Sequence, residues 1–412
     1  MCAEVKAKII FNFTIWITVF FFGFLQSGRP DNLYAATFSN LKHLIGKRDA
    51  LLVASPQGKI LFEKNAAKKM IPASTLKIFT SLVGLHYLGP DYRFPTEFYL
   101  DQGHNLKIKG YGDPFLISEA LMDMAATLVT RLSRFNDLVI DDSYFEHPVR
   151  IPGTTPSYQP YDAPNGALCV NFNTVNFKRI NNTYVSAEAQ TPLLPFVLER
   201  IKSSSLDHGR IVLSYQQNES ALYAGHLFRH FLNQNGINST GTVRIGHVRK
   251  PIERLILKYI SPFSLKQGIS RLLEFSNNFI ANQILIAAGA KVYGPPGTLD
   301  KGVRSALIYA GRVLKTKGLS FVEGSGISRK NRLSAKFMLK VLNEFESYHY
   351  LMRQQGSEFY KTGNLNGITT RAGYLESNKG ELYRFILLLN TPGKSADTIM
   401  QRIRLMVEPL DG

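Results

Sequence analysis

The chain carries Ile71-Pro72-Ala73-Ser74-Thr75-Leu76-Lys77 at the head of a mostly apolar run, residues 78–88, that predicts a buried helix. Ser74 and Lys77 are three residues apart, so on a helix they lie on one face. There the lysine amine can hydrogen-bond the serine oxygen and remove its proton, which activates the serine as a nucleophile. Taken alone, the stretch also fits a plainer interpretation, a serine that starts a helix and a solvated lysine.

Two further strings favour the catalytic interpretation. Ser276-Asn277-Asn278 and Lys361-Thr362-Gly363 follow in that order. The succession S-x-x-K, S-x-N and K-T-G is the signature of penicillin-binding proteins and serine β-lactamases. Each string alone is weak, because Ser276 and Asn278 could simply cap a helix and Lys361-Thr362-Gly363 could be a turn at a strand edge. Three in order, each in a suitable local setting, form a strong signal.

Several stretches resemble one group within this signature, the class C low-molecular-mass penicillin-binding proteins. That group comprises D-alanyl-D-alanine carboxypeptidases and endopeptidases, and the likeness covers roughly residues 50 to 390. The matching stretches are residues 71–77, Gly110-Tyr111-Gly112-Asp113-Pro114, Asp141-Asp142-Ser143-Tyr144-Phe145, Tyr161-Asp162-Ala163-Pro164, Asn278-Phe279-Ile280-Ala281-Asn282-Gln283 and Gly324-Ser325-Gly326-Ile327-Ser328-Arg329.

The sequence departs from that family at three places. The segment between Val175 and Ser220 is short, so a third domain that is usual in the family is reduced or missing. Asn364 follows Lys361-Thr362-Gly363 where a small hydroxyl residue is usual, and Glu323 stands where an Asp commonly precedes the Gly-Ser-Gly loop.

The catalytic roles expected from the motifs fall on four residues. Ser74 is the nucleophile and Lys77 the general base, which must be largely neutral; desolvation and nearby positive charge, such as that of Lys361, would promote that state. Ser276 would pass a proton to the leaving amine. Asn278 would bind the substrate amide and Lys77.

The resemblance also implies a substrate-binding strand. Lys361, Thr362 and Gly363 border the cleft in the family, and the first two draw in the terminal carboxylate of the peptide. The backbone N–H groups of Ser74 and Asn364 are the expected oxyanion hole. Arg329 is either a further contact for an anionic substrate or a plain surface charge. No cofactor and no metal site are implied.

Charge and cysteine content narrow the partners. In a chain of 412 residues, 49 Lys and Arg against 31 Asp and Glu give a formal net charge of +18, which favours acidic partners. The basic residues are spread along the chain without a nucleic-acid-binding motif, so an acidic polymer or a membrane surface is a better partner than nucleic acid. Cys169 lies in an apolar context with no partner in the mature chain, and we expect it to be packed in the core.

The N-terminal segment, residues 1–36, predicts export. Lys6 and Lys8 precede an apolar stretch, residues 9–25, which is the pattern of a signal peptide. Cleavage after Ala35 or Ala36 and retention as a single membrane-spanning anchor both stay open. In either case the folded part would lie in the periplasm or on the outer side of the cytoplasmic membrane.

The remaining chain predicts an α/β fold, a serine β-lactamase/transpeptidase-like domain of sheet and helices interrupted by a β-rich insertion. Strand-like runs at residues 50–54, 59–63 and 381–389 suggest one sheet built from both ends of the chain. Since the chain between Ser74 and Ser276 is too long for one loop, we expect residues 37–90 and 250–412 to form the catalytic domain and residues 91–249 an inserted domain.

We expect a serine D-Ala-D-Ala carboxypeptidase or endopeptidase that acts on peptidoglycan peptides through an acyl-enzyme and is covalently inhibited by β-lactams. A β-lactamase or esterase of the same fold is an alternative. A wall-binding scaffold without catalysis is another, which the complete set of motif residues argues against.

Overall fold

The computed structural model describes residues 41–214 and 216–407. The predicted N-terminal export segment, residues 1–36, lies outside this part of the chain. Within it, no helix is both long and apolar enough to span a bilayer.

The strands are β1 (Asp49–Ala54), β2 (Ile60–Lys64), β3 (Pro95–Leu100), β4 (Leu106–Gly110), β5 (Arg134–Phe135), β6 (Leu138–Asp141), β7 (Thr174–Ile180), β8 (Thr183–Ser186), β9 (His208–Val212), β10 (Asn238–Ser239), β11 (Val243–Ile245), β12 (Arg254–Ile260), β13 (Arg353–Gln355), β14 (Glu358–Leu365), β15 (Ile368–Glu376) and β16 (Leu382–Leu389). The α-helices are α1 (Leu76–Tyr87), α2 (Ser118–Leu128), α3 (Leu198–Ser203), α4 (Glu219–Gln234), α5 (Leu265–Phe275), α6 (Asn278–Tyr293), α7 (Leu299–Arg312), α8 (Ala335–Phe345) and α9 (Ala396–Val407).

The first sheet joins the two ends of the described chain, as the sequence predicts. Its strand order is β13-β14-β15-β16-β1-β2, and all its strands are antiparallel. Asp49 of β1 lies opposite Leu389 of β16. The three predicted strand-like runs are therefore confirmed as β1, β2 and β16 of one sheet.

Both faces of this sheet are buried, which explains why the neighbouring strands β16 and β1 are mostly apolar. Alternate residues of β1 point to opposite faces. Leu52 packs on one face among helices that include α1, α6 and α8. Leu51 packs on the other, against the last helix, α9. Helix α1, which begins two residues after Ser74, is thus fixed between the sheet and other helices.

The insertion has its own sheets and its own apolar core. One sheet has the order β11-β6-β4-β3-β12, and another has the order β8-β7-β9. Helix α4 packs in this core. Strands β7, β8 and β9 lie in the short segment where we expect the third domain of the family to be reduced or missing.

The sheet of the insertion extends past the predicted boundary at residue 249. Strand β12 pairs antiparallel with β3, with Lys258 opposite Glu97. The sheet therefore extends to Ile260, beyond the boundary that the sequence predicts. The sequence did not reveal this, because the returning chain pairs beside the strand by which it left, and that pairing depends on a distant segment.

A buried glutamine joins the insertion to the catalytic part. Gln283, on α6, is fully buried. Its side-chain amide donates hydrogen bonds to the carbonyls of Gly112, at 3.2 Å, and Gly166, at 2.9 Å, and accepts one from Asn165 at 3.0 Å. Since buried polar groups are costly when left unpaired, these bonds hold the insertion in a defined place beside the helix that carries Asn278.

Candidate active site

Ser74 lies in a one-turn 3₁₀ helix, Ala73–Thr75, directly before α1. Ala73 has φ +46°, a left-handed conformation that costs free energy for any residue with a Cβ. The carbonyl of Pro72 holds this turn, accepting hydrogen bonds from the hydroxyls of Thr75 at 2.6 Å and Thr370 at 2.8 Å. A constrained backbone therefore presents the Ser74 hydroxyl.

Lys77 is fully buried and its amine touches three oxygens. Lys77 Nζ lies 2.8 Å from Ser74 Oγ, 2.8 Å from Asn278 Oδ1 and 2.7 Å from the carbonyl oxygen of Ser325. Burial and then the positive charge of Lys361 hold the pKa of Lys77 well below its usual range, and the charge of Glu323 acts in the opposite direction. The structure thus brings together three groups that the motifs predicted to meet.

The geometry fixes how a neutral Lys77 amine would use its hydrogens. An amide oxygen and a backbone carbonyl only accept hydrogen bonds. A neutral amine has two N–H groups and one lone pair, so the two N–H groups go to Asn278 Oδ1 and the Ser325 carbonyl. The lone pair is left for the third neighbour, the Ser74 hydroxyl, from which it can accept a proton.

Strand β14 packs against Ser74. A Cβ built on Gly363 would stand 2.5 Å from the backbone nitrogen of Ser74 and 3.0 Å from the Cβ of Ala73. Lys361, on the same strand, is buried and donates to the carbonyl of Thr362 at 2.8 Å. Burial and the charge of Arg353 lower the pKa of Lys361 to about 8. The side chains of Thr362 and Asn364 are exposed.

The S-x-N string turns sharply between two helices. Ser276 ends α5 with φ +56°, and Asn277, not Ser276 or Asn278, caps α6 by accepting a hydrogen bond from the Ile280 N–H at 3.0 Å. Neither Ser276 nor Asn278 is therefore the N-cap of α6, whereas Ser276 is the C-cap of α5. Among the described residues, Lys77 forms a hydrogen bond with Asn278 but none with Ser276.

The Asn278 amide is oriented by the insertion. Its Nδ2 donates to the carbonyl of Tyr161 at 3.2 Å, which leaves Oδ1 to face Lys77. Tyr161 belongs to one of the stretches that carried the family resemblance, but motif reasoning gave it no role. The side chain of Tyr161 is 54% exposed, so this segment of the insertion forms part of the rim of the site.

A buried carboxylate organises the loop that supplies the Ser325 carbonyl. Glu323 is fully buried. Its oxygens accept hydrogen bonds from the backbone N–H groups of Ser325 (2.6 Å), Gly326 (2.8 Å) and Ser328 (3.2 Å), the Ser325 hydroxyl (2.6 Å) and the side-chain amides of Asn331 (2.6 Å) and Asn282 (3.4 Å). Sequence reasoning noted Glu323 only as a departure from the family pattern. The available signal was its position beside a loop rich in glycine and serine, whose N–H groups need acceptors.

Arg329 lies at the far end of that loop. Its guanidinium is exposed and donates to the carbonyl of Asn366, in the turn between β14 and β15. The side chain therefore ties the loop to the hairpin that carries Lys361-Thr362-Gly363.

The remaining features of the sequence are possible metal ligands and Cys169. In the described chain no three His, Cys, Asp or Glu side chains gather as a metal site would require. Cys169 is buried and hydrogen-bonds the Gly166 carbonyl at 3.3 Å. Burial raises the pKa of its thiol well above the ordinary range, as expected for a packed residue.

Two proteins of known sequence that are similar to this chain are both D-alanyl-D-alanine carboxypeptidases. A D-alanyl-D-alanine carboxypeptidase of Actinomadura sp. (strain R39) is 25% identical over 409 residues, covering 81% of this chain and 76% of the relative. The D-alanyl-D-alanine carboxypeptidase DacB of Haemophilus influenzae is 25% identical over 405 residues, covering 81% of this chain and 83% of the relative.

Solved structures agree on the fold. Penicillin-binding protein 4 from Haemophilus influenzae superposes with a TM-score of 0.72 at 20% identity, covering 91% of this chain and 99% of that one. A predatory peptidoglycan endopeptidase from Bdellovibrio bacteriovorus superposes with a TM-score of 0.50 at 17% identity, covering 88% and 91%. The expected penicillin-binding-protein-like α/β fold is confirmed.

The family itself follows from a sequence model. The model of the D-Ala-D-Ala carboxypeptidase 3 (S13) family matches residues 37–196 and 203–355. This match spans Ser74, Lys77, Ser276 and Asn278 and covers well over half of the chain, and the chain therefore belongs to the D-Ala-D-Ala carboxypeptidase 3 (S13) family.

Proposed function

We propose that this protein is a penicillin-sensitive serine peptidase that acts on D-Ala-D-Ala ends, or D-Ala-linked cross-bridges, of peptidoglycan. The observation that carries the proposal is the environment of Lys77. Its amine lies at hydrogen-bond distance from Ser74, is excluded from water and has two acceptors for its N–H groups. Membership of a D-Ala-D-Ala carboxypeptidase family supplies the substrate class.

In the acylation step, the Lys77 lone pair accepts the Ser74 hydroxyl proton while Oγ attacks the carbonyl of the penultimate D-Ala. The oxygen of the tetrahedral intermediate is stabilised by the N–H groups of Ser74 and Asn364, in support of which the main chain of β14 packs against Ser74. The proton then passes through Ser276 to the nitrogen of the terminal D-Ala, and the peptide bond between the two D-Ala residues breaks. Ser74 is left as an ester, which water hydrolyses.

Lys361 and Thr362 bind the terminal carboxylate in this proposal. The exposed Thr362 hydroxyl offers a hydrogen bond, and the protonated Lys361 amine offers a charge in surroundings where its effect is little screened. Asn278 binds the substrate amide. Arg329 provides longer-range attraction for an anionic substrate, since its guanidinium is exposed at the end of the same hairpin.

The insertion shapes access without supplying nucleophile or base. In support, it reaches the site through the Tyr161 carbonyl and contacts α6 through the carbonyls of Gly112 and Gly166, and neither contact offers a group that could exchange a proton with Ser74.

A β-lactamase would require rapid hydrolysis of its acyl-enzyme. The carboxylate that acts on Lys77 is Glu323, and both of its oxygens are occupied by the loop that follows it. It is therefore not available to activate a water, which favours a peptidase that β-lactams trap as a long-lived ester. We place the folded domains outside the cytoplasmic membrane because residues 1–36 have the pattern of an export segment.

The test is covalent labelling by a fluorescent penicillin, followed by mapping of the labelled residue. We expect one label per chain on Ser74 and none on the Ser74→Ala variant, with equal thermal stability because only a hydroxyl is removed. Ser133→Ala, at an exposed serine, is the matched control and should label normally. Stoichiometric labelling of the Ser74→Ala variant at another serine would refute the assignment.

A further inference from the structure

Five cationic side chains line one surface pocket of about 560 Å³. They are Lys47, Arg48, Lys68, Lys69 and Arg332, and all five are exposed. Met70 and Ile71, which are buried, also line it. We call this site the basic pocket.

The cations of the basic pocket have no oppositely charged partner among the described residues. Within residues 41–214 and 216–407, none of the five cations forms an ion pair; Lys69 donates to the carbonyl of Gly318 at 2.6 Å. Neighbouring lysines behave differently, since Lys394 pairs with Asp49 at 2.7 Å and Lys336 with Glu63 at 3.0 Å. Five like charges around one depression repel each other and are stabilised by an anion.

The basic pocket lies close to the catalytic serine. Met70 precedes Ser74 by four residues, so their Cα atoms are at most about 15 Å apart, given 3.8 Å between consecutive Cα atoms. Arg332 follows the loop in which Arg329 binds the turn after β14. A polymer that places one peptide in the cleft can therefore reach the pocket with its next charged group.

We propose that the basic pocket binds carboxylate groups of the same peptidoglycan polymer whose peptide occupies the active site. This inference rests on the proposed function and adds a second point of attachment to it. Two linked attachments raise the effective concentration of each group at its site. The pocket thereby increases the residence of the enzyme on polymeric substrate, with no effect on small substrates.

Other anionic partners fit the position of the pocket less well. A lipid surface or a nucleic acid needs no proximity to Ser74, whereas the basic pocket is lined by Met70 and Ile71, which lie just before the turn that carries Ser74. Apolar side chains beside the cations also suit a peptide, which carries methyl and methylene groups next to its carboxylates.

The test compares two triple variants of the full chain with equal change of charge. The pocket variant carries Lys47→Gln, Arg48→Gln and Arg332→Gln. It removes three pocket cations whose side chains form no hydrogen bond with the described residues. Lys178→Gln/Lys291→Gln/Lys379→Gln removes three exposed lysines elsewhere and is the control. Cosedimentation with insoluble peptidoglycan at low salt, with and without prior amidation of its carboxylates, gives the affinity.

We expect the pocket variant to bind untreated peptidoglycan at least about five-fold more weakly than the control variant, as three exposed ion pairs would predict. Amidated peptidoglycan should bind both variants equally weakly. Equal binding of the two variants to untreated peptidoglycan would overturn the inference. A loss of binding by the pocket variant that appears only on vesicles of anionic phospholipid, or only with free inorganic phosphate, would also overturn the inference.

Penicillin labelling of Ser74 separates this inference from the proposed function. We expect both triple variants to be acylated at the wild-type rate. If the wild-type protein were not acylated at all, the proposed function itself would fail. If acylation is normal and polymer binding does not depend on the pocket, only the present inference fails.

Discussion

Substitution of Gly363 by alanine would place a methyl group between strand β14 and the nucleophile. The new Cβ would stand 2.5 Å from the Ser74 nitrogen and 2.5 Å from the Thr370 hydroxyl. Carbon contacts become favourable at about 3.5 Å, so strand and turn must separate by roughly 1 Å. The Thr370 hydroxyl, which bonds the carbonyls of Pro72 at 2.8 Å and Gly363 at 3.2 Å, must move as well.

Two consequences follow from that separation. Overpacking of this kind costs about 1–3 kcal/mol in the free energy of unfolding. A displacement of about 1 Å between nucleophile and oxyanion donors lowers the acylation rate about 100-fold. We therefore expect a folded but slightly destabilised enzyme whose second-order rate constant for acylation by penicillin falls by about two orders of magnitude.

Stopped-flow acylation with a fluorescent penicillin, together with denaturant unfolding, measures both effects. Gly311→Ala is the matched control, because it adds the same methyl group to helix α7, where the nearest atom is 4.0 Å away. It should leave acylation unchanged and stabilise the protein slightly. If Gly363→Ala acylated within about three-fold of wild type, β14 would not form part of the oxyanion site and the reasoning would be refuted.

Two further predictions concern charge around Lys77. Because the pKa of Lys361 is about 8, its positive charge is present below that pH and lost above it. Acylation by an anionic penicillin should therefore decline above pH 8, whereas acylation by an uncharged ester should not. A pH–rate profile with both substrates checks this, and a rate with penicillin that keeps rising to about pH 10, the range of free lysine, would contradict it. Glu323→Gln removes a charge that raises the pKa of Lys77, so the acid limb of the acylation profile should move to lower pH, whereas Glu323→Asp should leave the limb in place. A limb that moves to higher pH in the glutamine variant would contradict the assigned electrostatics.

Much of the fold was predictable from local patterns. The hairpin β1–β2, the buried helix α1 and the strand β16 have apolar periods that local sequence determines. The extent of the insertion was not predictable in the same way. Strand β12 belongs to the sheet of β3 through pairing across more than 150 residues, and no local pattern reports such a partner.

The residues of the candidate site likewise include some that local motifs predict and some that they do not. Ser74, Lys77, Asn278 and Lys361 were found because motifs record residue types that a given chemistry requires. The Ser325 and Tyr161 carbonyls escaped motif reasoning because a backbone acceptor can be supplied by any residue type. Glu323 escaped because its effect on Lys77 depends on burial, which appears only after α1, α6 and the 323–331 loop have packed together.

The balance of charges around Lys77 explains why so many segments meet at one amine. Burial and Lys361 lower the pKa of Lys77, whereas Glu323 raises it. Lowering alone would give an amine that is neutral but too weak a base, and a general base works best when its pKa lies near the working pH. Glu323 opposes that loss of basicity and also holds the Ser325 carbonyl in place for one N–H group of the lysine. The same buried carboxylate thus acts both on the pKa of Lys77 and on the position of a carbonyl that its amine hydrogen-bonds, which links the electrostatics of the site to its geometry.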